Sequence, residues 1–135
     1  MTLAVAAGVI IAGGVFFVLQ SGALTPKHTI NGTFVLNGDS DSILTLGTTC
    51  WGDDGYSDLA PGMPITVKDE SGKILGATSL GTGTGNSSRC TFTFVLDGVG
   101  DANIYSVEGG RRGAVSYPRS QLEDSGWTVA LSIGN

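Results

Sequence analysis

Hydrophobic residues follow two different patterns on either side of residue 25. From Leu3 to Leu24 the chain reads LAVAAGVIIAGGVFFVLQSGAL, without a charged residue. A helix of about twenty such residues covers the ~30 Å hydrocarbon core of a bilayer and has no polar face for water. The pattern predicts a transmembrane helix within residues 1–24 and a separate domain over 25–135. A cleaved signal peptide is the alternative, since residues 21–23 (Ser-Gly-Ala) are suitable for cleavage, although no basic residue precedes the segment.

Three small residues recur at four-residue spacing inside this segment: Ala4, Gly8 and Ala12. On a helix they form one smooth stripe, which lets a neighbouring helix approach closely. The stripe therefore favours a membrane-embedded protein partner. The ordinary abundance of Ala and Gly in membrane helices is the competing interpretation.

Beyond residue 25 the apolar residues alternate with polar ones over short stretches separated by Gly, Asn, Asp and Pro. Alternation of this kind predicts strands with one buried face. We expect strands over 28–36, 42–46, 90–96, 104–107, 114–117 and 127–133, a hairpin over 64–80 that turns at 69–72, loops over 51–64 and 81–88, a turn at 97–98, and a capping box at 120–123. The fold class is then all-β: one small antiparallel β-sandwich of seven or eight strands, of transthyretin-like or immunoglobulin-like type.

The charge of the chain excludes one class of partner. Twelve acidic and 7 basic residues give a net charge of −5. A basic patch is the electrostatic minimum for binding nucleic acid, and an acidic surface is not attracted to anionic lipid headgroups. We therefore expect no nucleic-acid partner, and contact with the bilayer only through the apolar segment.

The two cysteines, Cys50 and Cys90, predict the compartment. A disulfide between them is the simplest interpretation outside the cytoplasm, and it stabilises the fold by roughly 3–4 kcal/mol on the chain-entropy model. Two free thiols or part of a metal site are the alternatives, although a single histidine, His28, leaves no four-ligand zinc set of Cys and His. Lys27 alone favours keeping the domain inside by the positive-inside rule. The cysteine pair outweighs it, so we expect a single-pass protein of the plasma membrane with its C-terminal domain outside the cytoplasm.

Catalytic residues are not evident. The only histidine, His28, lies four residues past the apolar segment, so neither a Ser-His-Asp triad nor a Cys-His pair is expected inside the domain. The glycines at 81, 83 and 85 lack the helix and lysine of a phosphate-binding loop. We expect no catalysis and no cofactor.

Acidic residues offer one candidate metal site. Asp53, Asp54 and Asp58 cluster in the loop that follows Cys50, and carboxylate oxygens are the ligands that calcium prefers. Solvated acidic turns have the same composition. A second acidic stretch over 37–41 lacks the later ligands of a calcium-binding loop, so the first cluster is the better candidate.

Four further residues are candidate contacts for a partner. Trp51 and Tyr56 belong to a predicted loop, and aromatic side chains anchor protein interfaces and sugars alike. Arg111 and Arg112 follow Glu108 in a Gly-rich segment, where they either meet a partner or fix the loop through an arginine–carboxylate contact. Packing inside the domain is the alternative role for the two aromatic residues.

Several motifs together resemble a known family: CWGDDGYSD (50–58), ITVKDESGKILGATSLGTG (65–83), CTFTF (90–94), YSVEGGRRG (105–113) and the C-terminal WTVALSI. In this order they are similar to membrane-anchored, extracytoplasmic proteins of mycobacteria and related actinobacteria. The similarity covers nearly all of Thr29 to Ile133. It implies a membrane-anchored domain outside the cytoplasm, and the family has no established activity to transfer.

These observations predict a non-catalytic single-pass membrane protein that serves as an accessory or structural subunit of a larger membrane complex. A cell-envelope binding module for glycan or calcium is the alternative hypothesis. A phage-encoded envelope protein has the same features.

Overall fold

Ten strands and one short α-helix lie within residues 27–134, the part of the chain that the computed structural model describes. In chain order they are β1 (His28–Asn37), β2 (Ile43–Leu46), β3 (Thr49–Gly52), β4 (Pro64–Lys68), β5 (Ile74–Ser79), β6 (Gly83–Gly85), β7 (Arg89–Val99), β8 (Ile104–Gly109), β9 (Ala114–Pro118), α1 (Arg119–Asp124) and β10 (Thr128–Gly134). A 3-10 turn over Asp54–Tyr56 follows β3. The predicted all-β class is confirmed.

The strands form two sheets. One has six strands in the order β10-β1-β7-β6-β3-β2, and the other has four in the order β9-β8-β4-β5. Strand pairs are antiparallel except for β10 with β1, which run parallel from the pair Thr128 and Asn31 to the pair Gly134 and Asn37. The expectation of a purely antiparallel fold is therefore wrong at this edge, because α1 carries the chain from β9 in one sheet to β10 in the other.

Both sheets contribute to one hydrophobic core. Along β7 the inward positions Phe92, Phe94 and Leu96 are buried, and Thr93 and Val95 between them are exposed. The four-stranded sheet adds a second set of buried side chains, from Ile65, Val67, Tyr105, Val107 and Tyr117. Burial of these apolar faces is the main stabilising contribution to the fold, since each large side chain removed from water contributes about 1.5–3 kcal/mol.

A disulfide joins β3 to β7, as predicted. Cys50 and Cys90 are both fully buried and their Cα atoms lie 5.9 Å apart. Strand β6 runs between the two bridged strands, with Gly83 opposite Cys50 and Gly85 opposite Cys90. Any other residue at Gly83 would force its neighbours to shift, because a Cβ there would lie 2.7 Å from the Cys90 sulfur. Within the stretch predicted as a loop over 81–88, residues 83–85 are therefore a strand.

Three other local predictions are wrong. Asp97-Gly98 does not turn the chain: Gly98 has φ +69° and forms a bulge within β7, where His28 pairs with Val99 but Ile30 pairs with Leu96. Part of the predicted 51–64 loop is strand β3.

The capping box at 120–123 is not formed either. Helix α1 begins at Arg119, and Pro118 precedes it without a side-chain cap. Pro118 is still in the extended conformation of β9, with ψ 149°, so the helix starts directly after the strand.

The predicted transmembrane segment and its stripe of Ala4, Gly8 and Ala12 lie outside the described residues. Among residues 27–134, no helix has both the length and the apolar character needed to cross a bilayer.

Candidate functional site

Arg112 joins two loops at one end of the domain. Its Nε donates a hydrogen bond of 3.0 Å to Asp58 Oδ2, and its Nη2 donates to Asp58 Oδ1 and to the carbonyl oxygen of Gly55. The guanidinium carbon also lies 5.0 Å from the centre of the Tyr56 ring, a distance suited to a cation–π contact. The arginine thus fixes the loop after β3 against the β8–β9 hairpin. The expected arginine–carboxylate contact is present, with Asp58 rather than Glu108 as the acid; Glu108 pairs with Lys68 at 3.0 Å.

The charges of this pair stabilise one another. The hydrogen bond from Arg112 is the main cause that lowers the pKa of Asp58, and the same bond raises the pKa of the guanidinium. Both groups remain partly in water, with 43% of the Asp58 side chain exposed. The pair therefore orders the loops at a modest gain in stability.

The calcium candidates share this loop. Asp58 uses both carboxylate oxygens on Arg112, and Asp53 and Asp54 flank the start of the 3-10 turn. Within residues 27–134 there is no group of three His, Cys, Asp or Glu side chains placed to hold a metal ion. Calcium binding at Asp53, Asp54 and Asp58 stays a prediction, and it requires Asp58 to leave Arg112.

The four candidate partner-contact residues separate into two places. Tyr56 and Arg112 are in contact, and Arg111 is exposed next to Arg112. Trp51 lies instead on β3, half-buried and paired with Leu44 of β2. The aromatic pair expected from one loop is therefore divided between a loop and strand β3.

Strand β2 is an apolar edge that the sequence reasoning did not single out as a site. It is the last strand of the six-stranded sheet, with β3 as its neighbour on one side only. Leu44 is 40% exposed and Leu46 is 74% exposed. The signal was in the sequence: Ile43, Leu44 and Leu46 place apolar residues on both faces of a short strand, so one face had to meet water.

A second cluster surrounds Trp127 at the start of β1. The His28 and Trp127 rings stack with centroids 3.7 Å apart, and Tyr105 meets Trp127 edge-on at 5.4 Å. His28 Nε2 lies 2.8 Å from Asp101 Oδ1, and this hydrogen bond is the main cause that lowers the pKa of Asp101. Trp127 has φ +64°, an unusual value for a bulky residue, so it ends the α1–β10 turn and the strand begins one residue later. The single histidine, His28, therefore has a packing role in this cluster.

The domain also carries a groove of about 700 Å³. It crosses β10, β1 and β7 and extends to α1 and the end of β9. Its lining consists of Asn31, Gly32, Thr33, Thr93, Phe94, Val95, Tyr117, Gln121, Ser125, Thr128, Val129 and Ala130. None of these residues is charged. We call this feature the β10–β1–β7 groove.

Comparison with known proteins adds no identity to this geometry. The sequence matches no protein-family model, and the searches of curated proteins and of solved structures return no match.

Proposed function

We propose that this chain is a non-catalytic, single-pass protein of the plasma membrane with its β domain outside the cytoplasm. We propose further that it is an accessory subunit that binds a membrane-embedded protein. The same proposal includes its membership of the actinobacterial membrane-anchored family and a transthyretin-like or immunoglobulin-like arrangement of the sandwich. In this proposal the helix predicted within residues 1–24 inserts in the bilayer and the domain covers the partner from outside.

The observation that carries the proposal is the exposed edge of β2. An edge strand presents unpaired backbone groups, and natural proteins usually protect it with charge, proline or a covering segment. Here the edge presents Leu44 and Leu46, and no charged residue lies within Ile43–Leu46. An apolar edge of this kind suits a partner that adds a strand or packs an apolar side chain against it.

The location outside the cytoplasm is supported by the buried disulfide, since disulfides persist in oxidising compartments. The pKa shifts of four carboxyl groups argue against one catalytic role, that of a general acid. The pKa values of Asp58, Asp69, Glu70 and Asp101 are all lowered, and hydrogen bonds within loops and turns are the cause. A general acid needs the opposite shift.

Site-specific crosslinking tests the proposal. A photoreactive amino acid at position 46 should form an adduct with a membrane-embedded protein in native membranes. Position 74 is the matched control, because Ile74 is 60% exposed on β5, the edge strand of the other sheet.

Substitution gives an independent readout. Leu46→Lys should release the chain from its complex in mild detergent, since burying an unpaired ammonium at an interface is unfavourable, and Ile74→Lys should not. A chain that migrates as a free monomer, or a Leu46→Lys variant that stays in the complex, would contradict the proposal.

A further inference from the structure

We infer that the β10–β1–β7 groove is a binding site for a neutral oligosaccharide. This inference does not depend on the proposed role of the β2 edge, because the two surfaces lie at different places in the six-stranded sheet: the groove at β10, β1 and β7, and the apolar edge at β2.

The charge of the lining selects a neutral ligand. All 12 acidic and 7 basic residues of the chain lie from Lys27 to Asp124, yet none of them lines this groove. A volume of about 700 Å³ falls inside the range of small-ligand sites, roughly 300–1,000 Å³. An anionic or cationic ligand would enter this groove without a counter-charge, which makes its desolvation unfavourable.

The polar groups of the lining suit hydroxyl groups. Asn31 and Gln121 each carry an amide that donates and accepts hydrogen bonds, as a sugar hydroxyl does. Thr33 and Thr93 add hydroxyl groups of the same dual character. The apolar residues Val95 and Ala130 offer surface to the C–H face of a sugar ring.

Tyr117 provides the second observation. Its side chain belongs to the core and only 9% of the residue is exposed, yet its hydroxyl makes no hydrogen bond with any residue of 27–134. The buried Tyr105, by contrast, donates to the carbonyl oxygen of Gly100 and accepts from the N–H of Ala102. The Tyr117 hydroxyl is therefore free to donate or accept a hydrogen bond when a group enters the groove.

The direction of the groove favours a glycan over a peptide. Three consecutive residues from each of three adjacent strands line it, centred on the row Val129, Gly32 and Phe94. The groove thus runs across the strands. A peptide that extends a sheet runs along one strand and bonds to its free edge.

Titration of the full-length chain tests the inference. The protein is placed in phosphocholine micelles, because a glycoside detergent would itself present sugar. Maltohexaose, cellohexaose, chitohexaose and mannohexaose are added separately to millimolar concentration, and ¹H–¹⁵N NMR shifts are followed. At least one of them should shift the amides of Gly32, Phe94 and Val129 with saturation.

Variants decide whether Tyr117 takes part. Tyr117→Phe removes only the hydroxyl and should weaken the affinity about five- to tenfold, the effect of one lost hydrogen bond. Tyr56→Phe is the matched control outside the groove and should leave the affinity unchanged. The fold of each variant is checked from the unshifted amides.

Four outcomes would overturn the inference. The first is that none of the four neutral sugars shifts the groove amides, and the second is that Tyr117→Phe binds the sugar with wild-type affinity. The third is that the acidic hexagalacturonate binds with the same affinity as the neutral sugar. The fourth is that only a neutral Ala-Ser-Gln peptide gives saturable shifts in the groove.

Discussion

Gly83→Ala directly tests how the Cys50–Cys90 disulfide packs against strand β6 of the six-stranded sheet. An added Cβ would lie 2.4 Å from the Cys50 carbonyl oxygen, 2.6 Å from a ring carbon of Phe92 and 2.7 Å from the Cys90 sulfur. Ordinary van der Waals contact begins near 3.4 Å. A backbone oxygen and a bridged sulfur cannot move aside as the end of a flexible side chain can.

The expected loss of stability follows from two opposing effects. Overpacking a fixed site costs up to about 3 kcal/mol. Alanine also lowers the conformational entropy of the unfolded chain relative to glycine, which stabilises the folded state by about 0.4–1 kcal/mol. The net loss is about 2 kcal/mol, and with a urea slope of about 1–3 kcal/mol per molar it lowers the unfolding midpoint by roughly 1 M.

Urea unfolding of the full-length chain in micelles, followed by tryptophan fluorescence, measures this change. Gly55→Ala is the matched control, because an added Cβ at Gly55 has no neighbour within 4 Å and its φ is not in the left-handed region. The control should shift the free energy of unfolding by no more than about 0.5 kcal/mol.

The role of the disulfide is then isolated by repeating Gly83→Ala in a Cys50→Ala/Cys90→Ala background. Without the two sulfur atoms the alanine at position 83 should cost at least about 0.5 kcal/mol less. A Gly83→Ala variant as stable as Gly55→Ala, or a cost unchanged by removal of the sulfurs, would refute this account of the packing at β6.

Two further predictions concern the Asp58–Arg112 pair and the stacking of His28 on Trp127. Asp58 has a lowered pKa when folded, so its pairing with Arg112 stabilises the fold above the ordinary carboxyl pKa, and this contribution is lost as pH falls through the lowered value. Asp58→Asn should therefore cost up to about 1 kcal/mol at pH 7 and nothing in strong acid, measured as urea midpoints against pH. His28→Ala should cost about 1 kcal/mol by removing the stack on Trp127, measured by urea unfolding and near-ultraviolet circular dichroism.

Each of these has a specific contradiction. An Asp58→Asn deficit that persists in acid would assign the effect to packing instead of charge. His28→Phe is the control for stacking: if it loses as much stability as His28→Ala, the hydrogen bond to Asp101 is the important contact and the stack is not.

Most of the fold follows from local alternation, and the exceptions follow from long-range contacts. The pattern CTFTFVL predicts β7 because its buried and exposed positions alternate without interruption. The sequence GTGTG gives no such signal, since glycine has low strand propensity. Strand β6 pairs with both β3 and β7, whose cysteines Cys50 and Cys90 are 40 residues apart, and glycine at position 83 leaves room for the disulfide.

The candidate sites likewise depend partly on local sequence and partly on long-range contacts. The charge and the number of arginines in GGRRG predicted an arginine–carboxylate contact, but the acid came from a loop 54 residues away. The β10–β1–β7 groove had no sequence signal at all, because the strands that line it are far apart in the sequence. Tyr117 was visible as the last residue of the strand predicted over 114–117, yet the surroundings of its hydroxyl depend on tertiary packing alone.

The parallel pairing of β10 with β1 sets the order in which the domain is completed. Among the strands of residues 27–134, β1 is the first to be synthesised and its neighbour β10 is the last, with every other strand of both sheets between them in the chain. Before β10 is added, β1 has no paired strand on one side and the side chain of Phe34 is incompletely packed. Contacts between such distant segments form slowly because loop closure must precede them. A ribosome that still holds the last strand thereby keeps the six-stranded sheet incomplete.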